Sequence, residues 1–260
     1  MILAGHTNSY HGYTLEEALR GISTAGYEYA ELTAVPGWAD FVRADTDPDD
    51  IRTLLERYEL TAVAMSTHLE LADESSIAAN RDLIAWAGDF GLAHVNCALG
   101  ERGGLTDEAV RSVLTDLASV AEARSIVLGI EVHGSLAPTG ASAAALVAGV
   151  QNAALGVNYD TGNVEYYGGT AAVTDLPGMV DAVRHMHLKD KLGGKGEWAF
   201  PALGGGHVDF TAVRSVVVDA LGAMPPASVE LEFHGDPWPP LSVVDDAMAV
   251  SLVHLRDRGY

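Results

Sequence analysis

The chain has 260 residues, 48% of them hydrophobic, and 36 acidic residues against 15 lysines and arginines, a formal net charge of −21. A surface this acidic repels phosphate backbones, which makes nucleic acid a poor partner. The single cysteine, Cys97, excludes an internal disulfide framework. The sequence has no apolar run long enough for a membrane span, and MILAGHTNSYHG does not have the pattern of a secretory signal. We therefore expect a cytoplasmic protein.

Short apolar or β-branched runs alternate along the chain with segments that have helical spacing. They begin near Ile2, Glu28, Thr61, His94, Ile126, Leu155, Val183 and Ser228. Eight strands alternating with helices predict a closed (β/α)₈ TIM barrel, an α/β fold, as a single domain over residues 1–260. An open doubly wound sheet is the alternative, but GHTNSYHG after the first strand is not the GxGxxG loop typical of that fold.

Helix-start chemistry supports this assignment in chain order. A capping box predicts a helix start at Thr14–Glu17, and a cap followed by proline predicts one at Asp47–Pro48. Two further starts are predicted by a cap followed by two acids at Thr106–Glu108 and by a threonine cap at Thr211. The last helix is expected from about Val243 to Asp257. The longest irregular stretch, 191–209, separates the seventh and eighth predicted strands, and loops of that length are usually functional.

Polar side chains gather where the last four predicted strands end. Because side chains alternate between the two faces of a strand, each of these strands places its polar residues on one face. The sets are Glu131 with His133, Asn158 with Asp160, His185 with His187 and Lys189, and Glu230 with Glu232. Barrel enzymes build their active sites at this end of the barrel, so the sets predict an active site there.

Buried carboxylates are costly unless a positive charge offsets them. Glu131, Asp160 and Glu230 converge with only His187 and one lysine nearby, so we expect them to bind one divalent cation. Three carboxylates and one imidazole suit Mn²⁺, Mg²⁺, Co²⁺ or Zn²⁺. In isolation, each acid could instead pair with Lys189 or Arg184, and Glu232 is an alternative to Glu230 as the ligand of the eighth strand.

Further polar and aromatic residues lie near the same end. His185, two residues deeper than His187, is expected to support it from within the barrel. Several residues are candidates for substrate contact, although each has a local structural explanation, such as a helix cap, an ion pair or loop packing; they are His6, Glu31, Trp38, His68, Asn96, His133, Asn163, Lys189, Asp190, Trp198 and Glu232.

Five segments carry a resemblance to a known superfamily. They are IEVHG from Ile130, NYDTGNVEYYGG from Asn158, RHMHLKDK from Arg184, GEWAFPALGGGHVDF from Gly196 and SVELEF from Ser228. In this order they resemble the xylose isomerase-like barrels of the sugar phosphate isomerase/epimerase group. The N-terminal half matches that group mainly in its alternation of strands and helices.

The resemblance implies metal ligands at Glu131, Asp160, His187 and Glu230, and catalytic carboxylates at Glu131 and Glu230. It implies one divalent metal, with Mn²⁺ as the first candidate, and a small carbohydrate as substrate. His133 and Lys189 are added as catalytic candidates, and His6, His68, Asn163, Trp198 and Glu232 as substrate-binding candidates. No other cofactor is expected, and a homo-oligomer or a partner subunit is compatible with the resemblance.

The expected activity is isomerisation or epimerisation of a sugar, keto-sugar or inosose through a metal-stabilised enediolate. The alternative is a metal-dependent lyase, an inosose dehydratase or a deglycosidase of a 3-oxo-glycoside, which uses the same enolate chemistry. A nuclease and a sugar-binding module are less favoured. Asn163 stands where many ketose epimerases have histidine, and LKDKLGG lacks the arginine that follows their seventh strand. The HLKD segment therefore resembles the inosose and uncharacterised isomerase branches more closely.

Overall fold

The computed structural model describes residues 1–234 and 237–260. Within these ranges eight parallel strands form a closed ring, because β1 pairs with both β2 and β9. The ring consists of β1 (Leu3–His6), β2 (Tyr29–Val35), β4 (Thr61–Leu69), β5 (His94–Leu99), β6 (Val127–Glu131), β7 (Leu155–Asp160), β8 (Val183–Leu188) and β9 (Ala227–Val229). A short strand not expected from the sequence, β3 (Ala39–Asp40), pairs antiparallel to the end of β2. The (β/α)₈ barrel is thus confirmed.

Helices follow most of the strands. They are α1 (Leu15–Thr24), α2 (Pro48–Arg57), α3 (Glu74–Phe90), α4 (Asp107–Ala123), α5 (Gly140–Val150), α6 (Ala172–Asp175), α7 (Phe210–Leu221) and α8 (Leu241–Arg256). The connection between β7 and β8 differs from a regular repeat, because α6 has only four residues and short 3₁₀ turns complete the crossover. None of the helices described is long and apolar enough to cross a membrane.

Three of the four helix starts form as the sequence predicts. Thr14 accepts a hydrogen bond from the Glu17 amide and the Glu17 carboxylate accepts one from the Thr14 amide, while Asp47 and Thr106 cap α2 and α4. The start predicted at Thr211 was wrong by two residues. Asp209 caps α7 by accepting from the Ala212 amide at 2.9 Å, and a carboxylate at this position satisfies an amide that would otherwise lack a partner.

The barrel wall separates an apolar layer from a polar interior. Outward-facing residues such as Ile130, Tyr159 and Met186 are fully buried under the helices and belong to the main hydrophobic core. Inward-facing residues such as Asn158 and His185 are equally buried but polar, and they contact one another across the strands. A polar interior of this kind has to satisfy its groups internally, which fixes side-chain positions beneath the active-site end.

The long irregular segment between β8 and α7 is organised by one carboxylate. Asp190, which we expected at the rim, is instead 1% exposed. Its two oxygens accept hydrogen bonds of 2.8–3.0 Å from the backbone amides of Lys191, Gly204, Gly206 and Val208. Asp190 therefore holds the loop over the end of the barrel and is not available to a substrate.

Candidate active site

The polar residues of the last strands converge on one point. Ligand atoms of Glu131, Asp160, His187 and Glu230 all lie within 4.8 Å of one another, and all four residues are buried. The strand register explains the convergence, because Asp160 is aligned with His187 and His187 with Ser228, two residues before Glu230. Neighbouring parallel strands thus present these side chains side by side at the C-terminal end of the barrel.

Asp160 is held through one oxygen only. Its Oδ1 accepts hydrogen bonds of 2.8 Å from the backbone amides of Gly162 and Asn163, in the turn that follows β7. Its Oδ2 is buried and has no hydrogen-bond partner, although the Lys189 ammonium lies 3.1 Å away without aligning a donor to it. The turn therefore orients Asp160 so that one oxygen faces the shared space.

Glu230 and Glu131 have comparable anchors. The Asn8 side-chain amide donates to Glu230 Oε1 at 2.7 Å, whereas the buried Glu230 Oε2 accepts no aligned hydrogen bond and lies 2.9 Å from the Lys189 ammonium. Asn163 Nδ2 donates to Glu131 Oε1 at 3.1 Å. Buried carboxylate oxygens without a hydrogen bond are rare in folded proteins, and a bound ion is one of the arrangements that accounts for them. The side-chain amides thus hold both glutamates in place beside the shared space.

His187 lies between two sets of carboxylates. Its Nε2 is 3.1 Å from Glu31 Oε1 and 3.2 Å from Glu31 Oε2. Its Nδ1 faces the cluster, 3.4 Å from Glu230 and 3.6 Å from Glu131. Burial acts to lower the pKa of His187, but Glu31, Glu230 and Glu131 together hold that pKa well above its usual 6.5.

Lys189 is the only lysine or arginine among the described residues that pairs with these acids. Its ammonium, 1% exposed, lies 2.9 Å from Glu230, 3.0 Å from Glu232 and 3.1 Å from Asp160. Burial acts to lower the pKa of Lys189, but these carboxylates keep that pKa well above 10.5. Lys189 is therefore protonated at ordinary pH.

The donor set fits a hard divalent cation. The acids outnumber the cationic side chains, and burial raises the pKa of Asp160 to about 7 even though Lys189 opposes the shift. Burial likewise raises the pKa of Glu232. Three carboxylates and an imidazole, two of them with unpartnered oxygens, are a ligand set that Mn²⁺, Mg²⁺, Co²⁺ and Zn²⁺ all accept.

A cavity of about 380 Å³ opens directly above the cluster. Its walls are partly polar and partly aromatic, and no lysine or arginine is found among the described residues that line it. The lining consists of His6, Asn8, Thr33, Val35, Trp38, Ser66, Thr67, His68, Ala98, Glu131, His133, Tyr167, Trp198, Glu230 and Glu232. Both candidate catalytic glutamates thus reach the space that a substrate would occupy.

Most of the residues predicted to contact substrate line this cavity. They include His6, His68, His133, Trp198 and Glu232. Asn163 and Lys189 do not, because Asn163 is 2% exposed and turned towards Glu131, and Lys189 lies among the acids below. Of the two glutamates after β9, Glu230 belongs to the cluster of potential ligands, and both glutamates pair with Lys189.

His185 is fully buried, and its ring lies edge to face with that of His187 at 5.7 Å between centroids. It contacts Asn96 and Asn158 at 3.1 Å and has no hydrogen bond to His187. Burial lowers the pKa of His185 to about 3, so the ring is neutral. The residue that contacts the far side of His187 is Glu31, which the sequence offered as a candidate for substrate contact or local pairing and which does not line the cavity.

Several cavity residues escaped the sequence analysis. Asn8 lies on a 3₁₀ turn directly after β1, and Tyr167 lies on the helical turn after β7, where its hydroxyl is 3.0 Å from His133 Nε2. Thr33 is an inward-facing residue of β2. Their shared signal is a polar residue at the C-terminal end of a strand, which is too common to single out residues by itself.

Comparison with known proteins places this geometry in context. The family model for the xylose isomerase-like TIM barrel matches residues 19–252. A search of curated proteins finds no match.

Among solved structures, three similar ones share 18% identity with this chain and cover 99% of it. A D-allulose 3-epimerase from Methylomonas sp. in complex with D-allulose has a TM-score of 0.79 over 97% of its own chain. The IOLI protein with a bound zinc atom has a TM-score of 0.79 over 98% of its own chain. A xylose isomerase-like TIM barrel protein from Mycobacterium smegmatis in complex with magnesium has a TM-score of 0.75 over 97% of its own chain. At this identity the likeness establishes the fold alone.

Proposed function

Because the chain belongs to the xylose isomerase-like TIM-barrel family, we propose that it is a divalent-metal-dependent isomerase or epimerase of a neutral sugar, keto-sugar or inosose. One observation carries the proposal. Glu131 and Glu230 line the same cavity, are each anchored through one oxygen by an asparagine amide, and stand beside Asp160 and His187 around a shared space.

Glu131, Asp160, His187 and Glu230 are the residues that would hold the metal. When bound, a divalent cation supplies Lewis-acid stabilisation of the negative charge that develops on a carbonyl oxygen. The solved structures that resemble this chain support the idea, since one is described with zinc and another with magnesium. The ligand set does not choose between these ions and Mn²⁺.

The two glutamates are the proton carriers in this proposal. One glutamate, as the carboxylate, accepts the proton from the carbon next to the carbonyl. The other, as the carboxylic acid, donates a proton either to the carbonyl carbon, while the hydroxyl proton of the neighbouring carbon passes to the former carbonyl oxygen, or to the opposite face of the same carbon. Asn8 and Asn163 orient the two carboxylates. The Lys189 ammonium, 2.9 Å from Glu230 and 3.0 Å from Glu232, favours the charged forms of both carboxylates, against the burial that raises the pKa of Glu232.

The lining of the cavity favours an uncharged substrate. Glu131, Glu230 and Glu232 face the cavity, and no lysine or arginine among the described residues balances them there. A phosphate group would meet like charge without a guanidinium or ammonium partner. Trp38 and Trp198 offer aromatic faces on which the C–H face of a sugar ring can pack. A complex of a similar fold with D-allulose is consistent with such a substrate.

The test is proton exchange at the reacting carbon. The protein, loaded in turn with Mn²⁺, Mg²⁺, Co²⁺ and Zn²⁺, is incubated in deuterium oxide with a panel of ketoses and inososes and their phosphorylated counterparts. We expect a neutral compound to rearrange with deuterium incorporated at carbon and no loss of mass otherwise. Loss of water or of an aglycone instead would establish the lyase alternative. No exchange with any metal and any panel member would argue against both.

A further inference from the structure

A buried carboxylate outside the cluster contacts it through a histidine. Glu31, on β2, is 0% exposed and is not among the residues lining the cavity. It lies 156 positions from His187 in sequence and meets it inside the barrel. Since no substrate can reach Glu31, any role it has must act through another residue.

Three donors converge on Glu31. Ser66 Oγ donates to Oε1 at 2.6 Å, Asn96 Nδ2 donates to the same oxygen at 2.8 Å, and His187 Nε2 lies 3.1 and 3.2 Å from the two oxygens. An ionised carboxylate only accepts hydrogen bonds, so the ring nitrogen that faces it carries a proton. Ser66 and Asn96 fix the carboxylate, and the carboxylate in turn fixes the ring.

From this arrangement we infer that Glu31 is the positioning residue for the metal site: it holds the Nε2 proton of His187, so that Nδ1, which faces Glu131 and Glu230, is the nitrogen that would bind the ion. The inference rests on the metal site proposed above. A histidine that binds a metal through one nitrogen commonly donates from the other to a carboxylate, which sets the tautomer and raises the basicity of the ligand.

Glu31 also lies near His6, and His6, Glu31 and His187 have ligand atoms close enough for a second ion. The hydrogen bonds oppose that reading. His6 Nδ1 accepts from the Asn8 amide at 3.0 Å, so the neutral ring carries its proton on Nε2, which faces Ser66 at 2.9 Å and Glu31 at 3.6 Å. Both nitrogens of His6 are thereby engaged, which leaves Glu31 as an acceptor for its neighbours instead of a ligand.

The first experiment compares metal affinities by competition with a chromophoric chelator, using Zn²⁺ and Mn²⁺. We expect Glu31→Ala to weaken binding by about 10- to 100-fold, as is typical when the partner of a ligating histidine is removed. Glu31→Gln, which keeps an acceptor oxygen but loses the charge, should fall in between. Glu165→Ala is the matched control, because it removes the carboxylate of another histidine pair, Glu165 with His207, away from the cluster and should change affinity by less than about threefold.

A second measurement needs no variant. Nitrogen-15 chemical shifts of the Zn²⁺-loaded wild-type protein should show His187 protonated at Nε2 and metal-bound at Nδ1, with one Zn²⁺ per chain. Metal bound at Nε2, two ions per chain, or equal affinities for Glu31→Ala and Glu165→Ala would overturn the assignment of Glu31. A wild-type protein that binds no divalent ion would instead defeat the proposed function itself.

Discussion

Asn8 donates a hydrogen bond of 2.7 Å to Glu230 Oε1, and its own side-chain oxygen accepts one of 2.7 Å from Trp38 Nε1. One residue of the first connection therefore joins a candidate catalytic carboxylate of the last strand to an aromatic wall of the cavity. Because Asn8 occupies Oε1 of Glu230, Oε2 is the oxygen that lies beside Lys189 and His187 in the cluster.

Replacing Asn8 should reduce turnover without removing the metal site. A hydrogen bond to a charged group contributes about 1.5–3 kcal/mol, so Asn8→Ala should lower kcat/KM by roughly 10- to 100-fold. Asn152→Ala is the matched control, since it removes a side-chain amide that donates to a carboxylate, Glu122, on the exposed surface and should have a smaller effect. Equal kinetics for Asn8→Ala and the wild type would show that Glu230 does not need this anchor.

Glu131 and Glu230 are expected to carry the proton transfers. Glu131→Gln and Glu230→Gln should each lower turnover by about 100-fold or more at saturating metal, because an amide cannot accept or return the proton. Deuterium incorporation should fall in parallel with turnover. Glu165→Gln is the control, since Glu165 pairs with His207 away from the cluster and its loss should leave both rates close to wild type. Unchanged proton exchange in both cluster variants would rule out this chemistry.

A bound cation should stabilise the folded chain. An ion present at 100 times its Kd adds about 2.7 kcal/mol to the free energy of unfolding, which raises Tm by roughly 5–10 °C for a chain of this size. Differential scanning calorimetry with and without a chelator measures the shift. Asp160→Asn should abolish most of it, while Asp116→Asn, which changes an exposed acid on α4, should keep it. A shift that survives Asp160→Asn would place the ion elsewhere.

Asp190 should control the order of the loop after β8. Asp190→Ala leaves four backbone amides without their acceptor, and we expect the free energy of unfolding to drop by at least about 2 kcal/mol. Hydrogen exchange at Gly204, Gly206 and Val208 should accelerate while the strands stay protected. Exchange of these three amides at the wild-type rate would contradict the role assigned to the carboxylate.

The local sequence determined much of this protein. The alternation of polar and apolar residues within each strand, together with helix caps such as Thr14 and Asp47, was enough to predict a closed barrel and to place Asp160 and His187 on inward faces. These features depend on residues a few positions apart, whose geometry is set by the strand pleat and the helical turn.

Only the tertiary structure decided which inward residues meet across the barrel. The stagger of the strands brings Glu31 from β2 against His187 from β8, places Asn8 against Glu230, and turns Lys189 towards the acids instead of the rim. The alternation of polar and apolar residues predicts which face of a strand a side chain occupies. It does not predict how deep that side chain lies in the barrel or which residue it meets across the barrel axis, because both depend on the tilt and register of the eight strands when the barrel closes. The tertiary structure likewise showed that Asp190, a candidate for substrate contact, instead binds the backbone amides of the loop after β8.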